Sequence, residues 1–101
     1  MALMPLHYPP DIESYVNQKL QGKPGLEIFL RRLEDSIRAN PKQASPEIIV
    51  LDNGKKISCR RKSVRANSYS KNMIFSKDEI IVLYKVMEKC IRVIAVYFPT
   101  A

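Results

Sequence analysis

The hydrophobic period of this chain changes once, and that change constrains the fold more than any other feature. Up to Asn40 the apolar residues recur at steps of three and four; beyond Pro46 they gather into short β-branched runs. Leu26, Phe29, Leu30, Leu33 and Ile37 make one helical stripe, and Glu27, Arg31, Arg32, Glu34, Asp35 and Arg38 cover the other sides. Glu27 with Arg31 and Glu34 with Arg38 are (i, i+4) pairs in the favourable order. Asn40-Pro41 stops the helix, because proline disfavours helical geometry in the residue before it. Ahead of it, Ile12, Tyr15, Val16 and Leu20 share one face of a first helix. Asp11 is placed to cap that helix or to sit in its first turn, and Gly22, Pro24 and Gly25 mark its end. Two short helices joined by a Gly/Pro turn read as an αα-hairpin. Leu3 to Tyr8 reads as a short strand that Pro5 confines to a sheet edge or strand end, with Pro9-Pro10 as the break.

The second half carries the strand period. Glu47-Ile48-Ile49-Val50-Leu51 closes on Asp52-Asn53-Gly54, where Asn-Gly tolerates the positive φ of a tight hairpin turn. The returning strand, Lys55 to Val64, puts Ile57 and Cys59 on one face and Lys56, Ser58, Arg60 and Lys62 on the other. Ala66 to Lys71 reads as a polar loop and Met73-Ile74-Phe75 as a short apolar run. Glu79 to Val86 and Ile91 to Phe98 are Ile/Val-rich runs around Met87-Glu88-Lys89, which predicts an antiparallel pair. Apolar on both faces, they belong in the middle of a sheet with helices packed against one side. The expected fold class is α+β: an N-terminal helical hairpin on a mainly antiparallel β-sheet. A chain of 101 residues has room for one core. The expectation is one domain over residues 1–101, helical over about 10–40 and β-rich over about 47–98.

Charge narrows the partners. Seventeen Lys and Arg face ten Asp and Glu, a net charge of +7, and such an excess captures polyanions. Lys55, Lys56, Arg60, Arg61, Lys62 and Arg65 fall within one strand and its end with no acid among them. They are the nucleic-acid-binding candidates, since such cations track phosphates, and Tyr69 just beyond is placed to stack on a base. The same run would also serve as a solvated strand face that discourages edge pairing.

The other chemistry is sparse. Cys59 and Cys90 lack metal-ligand spacing, so no metal is expected, and a reduced pair in a cytoplasmic protein is the default reading. His7, the only histidine, has no paired nucleophile and reads as an ordinary exposed or half-buried side chain. The serines lack a nucleophile-elbow setting, and the three glycines make no phosphate-cradling fingerprint. No cofactor is expected. The opening Met1-Ala2-Leu3-Met4 is too short for a signal peptide or a membrane span. One enzyme class survives: a metal-independent endoribonuclease in which cations stabilise the phosphorane and Lys or Tyr moves the proton.

The order of elements resembles the RelE/ParE superfamily of toxin–antitoxin toxins. Pro10-Asp11-Ile12-Glu13-Ser14-Tyr15-Val16 is similar to the start of that family's first helix, and Phe29 to Ile37 to its second. Ile81-Val82-Leu83-Tyr84-Lys85-Val86, a turn, and Ile91 to Tyr97 resemble its C-terminal hairpin. The resemblance implies RNA or ribosome engagement as a metal-independent mRNA interferase, though other members inhibit DNA gyrase, with a protein antitoxin or other acidic partner and a monomer or homodimer otherwise. Tyr84 and Arg92 match hairpin positions and are the catalytic candidates it implies. The family's basic, glycine-containing stretch and Tyr-Arg pair are replaced here by Phe75 to Ile81, which has no arginine. Its C-terminal His-Gly-x-Arg-like segment is replaced by Phe98-Pro99-Thr100. A second resemblance is to Sm-like RNA-binding barrels of the Hfq type, carried by Glu47 to Gly54, the basic strand and Ile80 to Lys85. That fold has no counterpart of the helix Asp11 to Leu20, and its second-strand glycine is replaced by Ser58-Cys59-Arg60. It implies a non-catalytic RNA-binding ring. A non-enzymatic accessory protein that binds an acidic partner is the third class.

Overall fold

The computed structural model describes residues 4–65 and 79–98, with the side chain of Arg65 outside that description. The stripe that begins at Leu26 builds the longer helix, α2 (Pro24–Ala39), and the shorter one, α1 (Pro10–Leu20), precedes it. Both start on a proline in the first turn, where a missing N–H costs nothing because no carbonyl precedes it. Pro24, which the sequence pattern placed in the turn, therefore opens α2 instead. Asp11 lies inside the first turn of α1, and Pro9 occupies the cap position.

The strands are β1 (Leu6–His7), β2 (Ser45–Val50), β3 (Lys56–Arg65), β4 (Glu79–Val86) and β5 (Ile91–Tyr97). They form one sheet in the order β1-β5-β4-β3-β2, antiparallel except for the parallel pair β1–β5. The chain is thus an α+β fold with its two helices packed on a mostly antiparallel sheet. β4 and β5 are interior strands, as their two-sided apolar pattern requires. β1 is two residues long, at an edge, and is tied at its start by the Ile91 amide donating to the Pro5 carbonyl at 2.9 Å. β2 begins at Ser45 rather than Glu47 and runs through Pro46, which an edge strand tolerates because one side needs no donor. The segments Ala66 to Lys71 and Met73 to Phe75 lie outside the described residues.

One face of the sheet carries the helices. Ile80, Val82 and Tyr84 of β4 and Ile91, Val93 and Val96 of β5 are buried with Val16 and Leu20 of α1 and Phe29, Leu30, Leu33 and Ile37 of α2. Each such side chain contributes about 2 kcal/mol relative to exposure. α1 lies against β5 and α2 against β3. The register between β4 and β5 shifts between Leu83 and Tyr84, which leaves Ile94 as the extra residue of a bulge on β5. The alternation therefore puts Val93 and Val96, not every second residue, toward the helices.

Two polar ties fasten the helical layer. The Tyr8 hydroxyl donates to the carboxylate of buried Glu34, which also accepts from Arg31 Nη1 at 2.9 Å on both oxygens. The Tyr84 hydroxyl donates to the Pro41 carbonyl at 2.7 Å, pinning the segment after α2 to the centre of the sheet.

Candidate nucleic-acid interface

The basic strand does not act as one surface. Strand alternation, fixed by the pairing of β3 with β2 and β4, sends Lys56, Arg60 and Lys62 to the helix-bearing side and Arg61 to the other. Arg60 is engaged: its Nη1 donates to the Ala44 carbonyl at 2.9 Å. Lys62 is half-buried beside Val82, and Arg61 is exposed beside Leu83. Arg65 ends β3 opposite Glu79, and Tyr69 lies outside the described residues.

What gathers cations is a parting of strands. β3 pairs with β4 from Arg65 opposite Glu79 down to Arg60 opposite Tyr84, and no further. Lys56 to Cys59 pair with β2 alone, while Lys85 and Val86 pair with β5 alone. On the parted side, the backbone groups of β3 have no strand partner, so they and the neighbouring side chains line open space. A cleft of about 610 Å³ lies there, lined by Lys55, Lys56, Ile57 and Ser58 of the ribbon, by Lys85, Met87, Arg92, Val93 and Ile94, and by Pro9, Asp11 and Ile12. A second, of about 590 Å³, shares Ser58, Lys85 and Met87 with it and adds Lys42, Arg60, Tyr84 and Glu88 among others.

Lys85 and Arg92 are direct register partners on adjacent strands, and both are exposed. Like charges directly opposite each other destabilise an antiparallel pair. Among the described residues the ion pairs join Arg31 to Glu27 and Glu34, and Arg38 to Asp35. None reaches Lys55, Lys56, Lys85 or Arg92. Asp11 is the one carboxylate on the wall of the larger cleft. Four cations therefore line the parting of the strands with one acid among them, Lys56 from the helix-bearing side of the sheet and Lys85 and Arg92 from the other, an arrangement that a multivalent anion would relieve.

The catalytic candidates do not meet. Tyr84 is fully buried, its hydroxyl is committed to Pro41, and burial pushes its pKa upward against a smaller opposing effect of Arg60. Tyr84 is register-paired with Val93, and its side chain turns to the helices, whereas Arg92 turns to the opposite side. Cys59 is buried, and burial with the nearby Glu47 carboxylate raises its pKa, which disfavours a reactive thiolate. Lys85 stands alone in an apolar run, so no cluster of charge along the sequence marks it. The available signal was its odd position in β4, opposite in phase to Val82 and Tyr84.

No helix among the described residues is long and apolar enough to cross a membrane. No known protein family, curated protein or solved structure matches the chain.

Proposed function

We propose that the protein engages RNA, free or within a ribosome, through the cations collected where β3 parts from β4, and that it binds without cleaving. The carrying observation is the exposed Lys85–Arg92 pair, two like charges in direct register with each other, and the presence of Lys55 and Lys56 on the wall of the same cleft. Phosphates spaced along a chain match such a set better than a single small anion does, because each cation neutralises one phosphate and releases its counterion. The buried phenol of Tyr84 favours binding over catalysis: a group whose proton is held by the Pro41 carbonyl is poorly placed to act as general acid or base. On this reading the resemblance to RelE/ParE toxins extends to the target rather than to the reaction.

The experiment compares the protein with a Lys85→Ala/Arg92→Ala variant, measuring RNA affinity across a salt series. Removing two phosphate contacts should lower the slope of log K against log salt by about 1.4 for single-stranded RNA. A Lys23→Ala variant, altered in the turn between the helices, should keep nearly the parent slope. Unchanged affinity and slope in the double variant would remove the proposal. Labelled RNA should stay intact during the incubation; cleavage that disappears with Arg92→Ala would restore the catalytic reading.

A further inference from the structure

The described tyrosines differ in what they do. Tyr8 donates to Glu34, Tyr84 donates to Pro41, and Tyr15 lies 6.1 Å from the Phe98 ring with the Lys19 ammonium over it. Tyr97 does none of this. It is 53% exposed, and no described residue gives its ring an aromatic or cation–π partner or its hydroxyl a hydrogen bond. A half-exposed aromatic ring on a strand leaves surface that the fold itself does not cover.

Its position gives it company. Tyr97 pairs with Ile81, which pairs with Ser63; the next row runs Ala95, Leu83, Arg61. Both rows lie on the sheet face turned away from the helices, because their β4 members alternate with Ile80, Val82 and Tyr84. Lys85 and Arg92 continue the same face. Between the ring and the cations the floor is apolar: Leu83 is buried, and Ile81 and Ala95 are half-buried. At about 4.8 Å between strands and 3.4 Å per residue, the Cα atoms of Tyr97 and Arg61 stand about 12 Å apart. Two long side chains can bridge that span toward one nucleotide.

We infer that the helix-free sheet face is a platform for single-stranded nucleic acid, with a base stacked on Tyr97 and the adjoining phosphates held by Arg61, Lys85 and Arg92. This rests on the RNA-binding reading and names its ligand class. A duplex buries its base faces within its own stack and offers nothing to Tyr97, whereas an unpaired base presents a π-face. Stacking reads no donor or acceptor pattern, so the platform tolerates any base.

The chain contains no tryptophan, so a Tyr97→Trp variant carries a single reporter at the platform. Oligoadenylate should quench its emission, while inorganic polyphosphate should bind without quenching. Tyr97→Ala should lose about tenfold or more in affinity for oligoadenylate, the usual consequence of removing one base–aromatic stack. Its affinity for polyphosphate should stay unchanged. Oligodeoxyadenylate, run in parallel, tells whether the platform takes either sugar or RNA alone; stacking at Tyr97 is supported by quenching with either. Retained polyphosphate binding with no quenching at saturating oligoadenylate sinks the platform alone. Quenching that survives Lys85→Ala/Arg92→Ala with unchanged affinity sinks the cation reading and the platform's phosphate contacts at these two residues, and leaves only the stack on Tyr97. Tighter binding of a blunt RNA duplex than of oligoadenylate, or equal binding of polyglutamate, also overturns the inference.

Discussion

At the scale of single residues, the buried carboxylate of the helical layer is a tie between elements. Glu34 is buried, and it serves two donors from different elements, the Tyr8 hydroxyl before α1 and the Arg31 guanidinium one turn back in α2. The Glu34 partnership in turn raises the Arg31 pKa, since the hydrogen-bonded carboxylate favours the cation. Replacing Glu34 by alanine would leave the Tyr8 hydroxyl without its acceptor in a part-buried site. The expected loss is about 2 kcal/mol of stability, read as a lower urea midpoint with the m-value unchanged. The half-exposed side chain of Arg31 recovers hydrogen bonds from water, so its share of that loss is small. An unchanged midpoint would mean that the Tyr8 tie contributes nothing net. The alternation of Glu34 within the α2 stripe was readable from the sequence, where it falls on the charged side; its burial was not, because the group that covers it arrives from twenty-six residues away.

At the scale of elements, the β2–β3 hairpin is the part whose chemistry was most nearly written in its residues. The Leu51 amide donates to the Lys55 carbonyl at 2.8 Å, and the Gly54 amide to the Leu51 carbonyl at 2.9 Å. The loop is therefore three residues long, and Gly54 alone carries positive φ, at 83°. The tight Asn-Gly turn expected from the sequence would put Asn53 there as well. Instead Asn53 turns its side-chain oxygen to the Lys55 amide at 2.9 Å, a local bond that holds it out of the left-handed region. No atom crowds a Cβ at Gly54, so Gly54→Ala isolates the backbone effect. It should cost about 1 kcal/mol through conformational strain alone. Thermal unfolding measures that cost. Because the ribbon forms one wall of the cationic cleft, the same variant with an undisturbed RNA affinity would show that the turn positions the wall loosely.

At the scale of the whole molecule, the half-buried phenol of Tyr8 and the fully buried one of Tyr84 link folding to proton concentration. Burial raises the Tyr8 pKa, with the Glu34 hydrogen bond adding to it, and burial raises that of Tyr84. The folded state thus keeps protons that the unfolded chain releases near the ordinary phenol value of about 10. Their contribution is fully present below that pH and is lost as the pH rises through it toward the folded-state values. Stability should fall above pH of about 10, with a slope approaching 1.4 kcal/mol per pH unit from Tyr8 and a further contribution of the same sign from Tyr84. Tyr8→Phe should flatten the slope more than Tyr84→Phe does, and base titration by circular dichroism would reveal it; a slope that ignores both tyrosines would place the alkaline transition elsewhere.

The amino-acid order alone determined the helices, the strands and their sidedness, because periods of 3.6 and 2 are local properties of a chain with one apolar face to bury. Glu79 to Val86 and Ile91 to Tyr97 declared themselves interior strands in the same way, through apolar residues on both faces. Which cations share space was decided only by tertiary structure. The run Lys55–Arg65 looked like a unit along the chain, yet alternation divides it across the sheet, and the β5 bulge with the early parting of β3 from β4 brings Lys85 and Arg92 to Lys55 and Lys56 instead. Charge proximity depends on strand register and on where pairing stops, and both are set by contacts between residues far apart in sequence.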